Sequence, residues 1–98
     1  MAIATTPFDP AIYVTDADAV EIYLADAFES DDPAVIADAL GVVARSRGMS
    51  ALAADTGLTR QALYKALSHD GNPEFVTILR VAHALGFRLT PQRLPEHA

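Results

Sequence analysis

The chain has 98 residues, a formal net charge of −6 and no cysteine. That length suits one small domain with a single core and leaves no room for a catalytic domain with a deep cleft beside it. The missing cysteine excludes a disulfide framework and a thiolate metal site, and fits a reducing cytoplasm. Alanine alone supplies 19 residues, most of the remaining apolar content is Leu, Val and Ile, and Gly and Pro stand apart from the apolar runs, so an all-α domain is expected. The opening MAIATTPFDP has neither the basic segment nor the apolar stretch of a secretory signal, and no run reaches the roughly 20 apolar residues of a membrane span. A cytoplasmic location is the expectation.

Charge is unevenly placed. Residues 1–40 hold nine carboxylates and no Lys or Arg, a balance of −9, whereas from residue 41 onward seven basic residues stand against four acidic ones, a balance of +3. The overall sign speaks against a nucleic-acid partner, because such affinity comes largely from Lys and Arg neutralising phosphates. The division between halves reverses that impression and assigns each a different electrostatic role.

In chain order, Val20, Tyr23, Leu24, Ala27 and Phe28 recur at helical spacing and mark an apolar stripe from about Asp16 to Ser30, capped by Thr15 or Asp16. Asp32-Pro33 reads as an N-cap followed by proline at the first helical position, opening a helix with Ile36, Ala39, Leu40 and Val43 on one side and Gly48 at its end. Ser50 is expected to cap a short helix from about Ala51 to Thr56, closed by Gly57 in the left-handed conformation of a tight turn. Thr59 caps the next helix, which runs to about Leu67 and into the turn-like Ser68-His69-Asp70-Gly71. Asn72-Pro73 repeats the cap-plus-proline signal before a last helix with Phe75, Ile78, Leu79, Ala82 and Leu85 on one stripe and a stop at Gly86. Phe87-Arg88-Leu89 alternates as a short strand does, and Pro91 and Pro95 leave the end extended or frayed. This gives five helices: an acidic segment and helix over 1–32, a domain over 33–90 and a tail over 91–98.

The run LAADTGLTRQALYKAL meets the needs of a helix-turn-helix, two short helices at a steep angle joined by a turn of three or four residues that usually contains glycine. Ala53 is small where the helices would cross, Gly57 makes the turn, and Leu52, Leu58, Leu63 and Leu67 are placed to hold the pair together. On the second helix, Arg60, Tyr64, Ser68, Gln61 and Lys65 fall within one arc of about 140°, while Ala62, Leu63, Ala66 and Leu67 take the other side. Arg60 and Gln61 lie in the first turn and are the residue types that pair bidentately with guanine and adenine, so they are the candidates for base reading. Tyr64 suits a thymine methyl or a phosphate, Lys65 and Ser68 suit backbone contacts, Ser50 and Thr59 belong to the same surface, and Arg45 and Arg47 are weaker phosphate candidates. A polar helix face is more often simply solvated; the capped helix, Gly57 stop and Thr59 restart are what favour DNA here.

The stretch ALGVVARSRGMSALAADTGLTRQALYKALSHDGNPEFVTILRVAHALGFRL resembles the addiction-module antidote proteins, HigA-like antitoxins with a Cro/CI-type helix-turn-helix. The upstream FDPAIYV and the helix with Ile22-Tyr23-Leu24 extend the likeness to roughly residues 8–90. The resemblance implies a lambda-repressor-like domain with an extra N-terminal helix and a short extended C-terminal tail. It also implies a small RelE/ParE-like toxin as partner, typically a ribosome-dependent mRNA-cleaving enzyme, and repression of the chain's own operon as a dimer on double-stranded operator DNA.

Toxins of this type are usually basic, so the acidic half offers a complementary surface that speeds encounter. Ile22 lies opposite Val20, Tyr23 and Leu24, among Glu21, Asp26 and Glu29; it is either an anchor for a partner or a singly exposed isoleucine, which is common. Phe8 and Tyr13 either join that surface or fold back onto the core. A dimer would read half-sites about 34 Å apart, with Phe87, Leu89 and the end of the last helix as candidate contacts. Two competing readings stay open: an interaction module that no longer reads DNA, and a stand-alone, phage-derived repressor without a toxin. Asp31-Asp32 is accounted for by the helix start, and His69, His83 and His97 have no ligand spacing. No catalytic constellation, metal or cofactor is expected.

Overall fold

Three of the five helices in the computed structural model, which describes residues 16–95, begin at a side chain that accepts a backbone N–H. Asp16 opens α1 (Ala17–Glu29) by accepting from Ala19 at 2.8 Å, and Asp32 opens α2 (Pro33–Arg47) by accepting from Ala34 at 2.9 Å. Proline at the start of α2 costs nothing, since its missing N–H would have had no partner within the helix. Thr59 opens α4 (Arg60–Ala66), accepting from Ala62 at 3.0 Å. Each cap satisfies a donor that the helix itself leaves orphaned.

The other two starts differ from expectation. α3 (Met49–Thr56) begins at Gly48, so Ser50 lies inside its first turn and is not its cap. Gly48, with φ 107°, joins α2 to α3 directly: its N–H donates to Ala44 O at 2.9 Å and its carbonyl accepts from Leu52 at 3.2 Å. α5 (Phe75–Ala84) begins at Glu74, whose side chain makes no capping bond. Asn72 takes a left-handed φ of 47° and does not adopt the extended backbone of an N-cap, so Asn72-Pro73 belongs to the connection and not to the helix. Phe75, placed on the core stripe by its spacing, is 70% exposed because it opens α5 one turn ahead of the packed stretch.

α1 packs along α2, α3 sits against α2, α4 and α5, and α2 also touches α5. Val20, Leu24 and Ala27 of α1 are buried, with Tyr23 packed partly against the core. In α2 Ala37, Gly41, Val42 and Ala44 are buried alongside Ala39, Leu40 and Val43, so this helix is enclosed well beyond the single side its pattern implied. Gly41 makes that possible where α2 meets the end of α4, since a β-carbon there would run into the Leu67 carbonyl. Val81, Ala82 and Leu85 bury α5. Past Gly86 the described residues have no regular structure, and no strand forms anywhere in 16–95, so the alternation at 87–89 does not become one. Phe87 instead packs against the core, its N–H donating to Ala82 O at 2.8 Å.

Candidate functional site

Gly57, Leu58 and Thr59 connect α3 to α4, and each has a separate task. Gly57 adopts φ 78°, and its N–H closes α3 on Ala53 O at 3.0 Å. Leu58 packs partly against the core, and Thr59 starts α4. Thr56, which the sequence reading passed over, completes the turn. It is buried, its hydroxyl donates to Leu52 O at 2.8 Å, and its oxygen accepts from the Leu58 N–H at 3.2 Å. A threonine one residue before a glycine stop is the signal that could have found it, because such hydroxyls bond the turn backbone.

α4 is fixed from below by Leu63, which has no exposed surface, and by Leu67 at its end. Arg60, Gln61, Tyr64 and Lys65 are all exposed on the outside of this short helix. Ala62, assigned to the inner side, is exposed as well, since it lies in the first turn near the edge of the polar arc. The Arg60 guanidinium carbon stands over the Tyr64 ring, 6.0 Å from its centroid, while Tyr64 itself is 47% exposed. Ser68 lies past the helix end, and its hydroxyl donates to Lys65 O at 2.9 Å.

The other candidate residues are farther back in the chain. Ser50 is exposed in the first turn of α3. Arg47 donates from its guanidinium to Leu85 O at 3.2 Å, tying the end of α2 to the end of α5. Arg45 is exposed and acts electrostatically on Tyr23. Burial holds the Tyr23 phenol above its ordinary pKa, Asp38 pushes the same way, and Arg45 opposes both.

On α1, Ile22, Asp26 and Glu29 are exposed at i, i+4 and i+7, one outward face on which Ile22 is 64% exposed. Phe8 and Tyr13 lie outside the described residues. Among the described residues no three His, Asp or Glu side chains group as metal ligands, and no helix is long and apolar enough to cross a membrane.

The profile of a family described as "probable addiction module antidote protein" matches residues 4–93. The chain belongs to this antidote family. A Haemophilus influenzae protein described as uncharacterized is 41% identical over 86 residues, spanning 88% of this chain and 89% of its own length. No solved structure matches. An antidote acts against a toxin, so membership carries an antitoxin role and a toxin partner of some kind, and antidote proteins are generally not enzymes.

Proposed function

We propose that this antidote is a HigA-like antitoxin that neutralises a RelE/ParE-like toxin and represses its own operon, with α3, the three-residue turn and α4 serving as a Cro/CI-type helix-turn-helix in a lambda-repressor-like domain. The observation that carries the DNA half is the outward display of Arg60, Gln61, Tyr64 and Lys65 on a helix anchored through Leu63. A recognition helix needs that arrangement, with base-reading side chains in its first turns and an apolar underside locking its angle.

Arg60 and Gln61 read base edges in the major groove, and Lys65 contacts phosphate. Thr59 uses an oxygen lone pair for its cap, which leaves its hydroxyl proton to donate to phosphate. Ser68 makes a phosphate contact only by exchanging its bond to Lys65 O. Ser50, Arg45 and Arg47 flank the unit as further backbone contacts, Arg47 through the guanidinium donors not engaged with Leu85. Binding as a homodimer follows from the two-fold symmetry of operators of this class.

The toxin half rests on the acidic outward face of α1, where Ile22 stands exposed beside Asp26 and Glu29. A basic toxin would be drawn by the charges and anchored by the apolar side chain. The function of the α4 face is tested by measuring DNA affinity against salt concentration. Lys65→Ala should weaken binding to specific and random duplexes alike and lower the salt slope by about one. An unchanged slope would remove Lys65 from the interface.

A further inference from the structure

We propose that Tyr64 is a positioning residue for DNA reading by Arg60: its ring holds the guanidinium while leaving the donor edge free for a guanine. The proposal rests on the reading of α4 as the recognition helix. The guanidinium carbon stands over the ring at 6.0 Å from the centroid, and the i, i+4 spacing along α4 keeps both side chains on one face. A guanidinium carries its five N–H donors in its own plane, directed outward from its rim. A ring that attracts the cation through its π face, and not through a hydrogen bond, therefore restrains a long side chain without occupying any donor. A carboxylate partner would restrain the same side chain only by taking the donors that guanine O6 and N7 need.

The backbone that carries the ring is itself held. Tyr64 follows Leu63, the fully buried residue of α4, so its backbone is anchored while its side chain remains 47% exposed toward solvent. Arg60 thus gives up rotamer freedom before DNA arrives, and less ordering is left for the binding step. For an exposed cation–π pair the effect on affinity is about two- to five-fold. The ring is what matters for this role and the hydroxyl is not, which separates it from a direct phosphate contact. The role also requires Arg60, which separates it from direct packing on a thymine methyl.

The test is fluorescence anisotropy with a labelled duplex carrying the chain's own promoter. The proteins compared are the full chain, Tyr64→Phe, Tyr64→Leu, Arg60→Ala and the double variant Arg60→Ala with Tyr64→Leu. NMR of the Arg60 side chain in the free proteins runs beside it. Tyr64→Phe should bind as the natural chain does, and Tyr64→Leu about two- to five-fold more weakly. In the Arg60→Ala background the leucine substitution should change nothing further. Arg60 resonances should be displaced upfield by the ring in the natural chain and Tyr64→Phe, and not in Tyr64→Leu.

Equal losses in Tyr64→Phe and Tyr64→Leu would overturn the proposal in favour of a hydroxyl contact. A leucine effect that persists undiminished without Arg60 would overturn it in favour of direct ring contact with DNA. An Arg60→Ala variant that binds normally would overturn it too. If the natural chain itself showed no preference for its promoter, the recognition-helix reading would fall and the proposal with it. In the other failures that preference survives, so the two kinds of result are distinct.

Discussion

Thr56 and Gly41 act on α4 without belonging to it. The oxygen of the buried Thr56 hydroxyl accepts the half-buried Leu58 N–H at 3.2 Å, so Thr56→Val, which keeps the shape, leaves that donor without its partner. The expected cost is about 1–3 kcal/mol, read as a lowered urea midpoint with an unchanged slope. A midpoint equal to that of the natural chain would mean that the turn does not need the hydroxyl. Gly41 works by absence of volume. A β-carbon there meets the backbone carbonyl of Leu67, which cannot swing aside as a side chain could. Gly41→Ala should therefore destabilise by about 1–3 kcal/mol, although alanine is the better helix former. A Tm at or above the natural value would show that α2 and the end of α4 separate easily.

α1 and α2 meet around Tyr23, whose phenol is held above its ordinary value of 10.0, first by burial and then by Asp38, with Arg45 opposing. Because the folded state favours the neutral phenol, its contribution to stability is whole below about pH 10 and is lost as pH rises through the folded value. Urea midpoints should therefore fall as the pH rises past 10.0, and more gently in Tyr23→Phe than in the natural chain. Identical pH profiles for the two would detach the phenol from this helix pair.

The same helices show what the sequence makes legible. Caps at Asp16, Asp32 and Thr59 and the left-handed Gly57 were readable because each is a bond or a dihedral settled within four residues. The inward leucines Leu52, Leu63 and Leu67 were readable from period alone. Ser50 and Asn72 are capping residue types that do not cap, because Ser50 lies within the first turn of α3 and Asn72 takes a left-handed backbone; the helices start instead at Gly48 and Glu74, neither with a side-chain cap. Phe75 falls on the core stripe by period yet is exposed as the first residue of α5, because periodicity does not say where along a helix packing begins. Gly41 is invisible as a determinant, since its importance comes from the Leu67 backbone at the end of another helix, and Thr56 shows only as a threonine placed one residue before a glycine stop. The outward residues of α4 are legible as a face, while the approach of the Arg60 guanidinium to the Tyr64 ring depends on rotamers that spacing does not give.

The molecule as a whole divides its charge. The acidic 1–40 half carries −9 and its outer α1 face displays Ile22 among carboxylates, while the basic excess lies in the half that holds α3, α4 and α5. In the proposed account these are two docking surfaces of opposite preference on one antidote, one for a basic toxin and one for DNA. Binding kinetics with the partner toxin separate the charge from the anchor. Asp26→Asn with Glu29→Gln should lower the association rate and its salt dependence, and Ile22→Ala should raise the dissociation rate at least about five-fold. Unchanged rates in both variants would move the toxin to another surface.

DNA reading by α4 is the central proposal, and its most direct test is a titration of the full chain, alone and with its toxin, against its own promoter and a random duplex of equal length. The same titration is repeated with Arg60→Ala and Gln61→Ala combined. The account predicts that the natural chain prefers the promoter and that the double variant loses this preference, with a deficit of about 1–3 kcal/mol for each bidentate contact removed. A natural chain that binds both duplexes equally at low salt, with and without toxin, would contradict it.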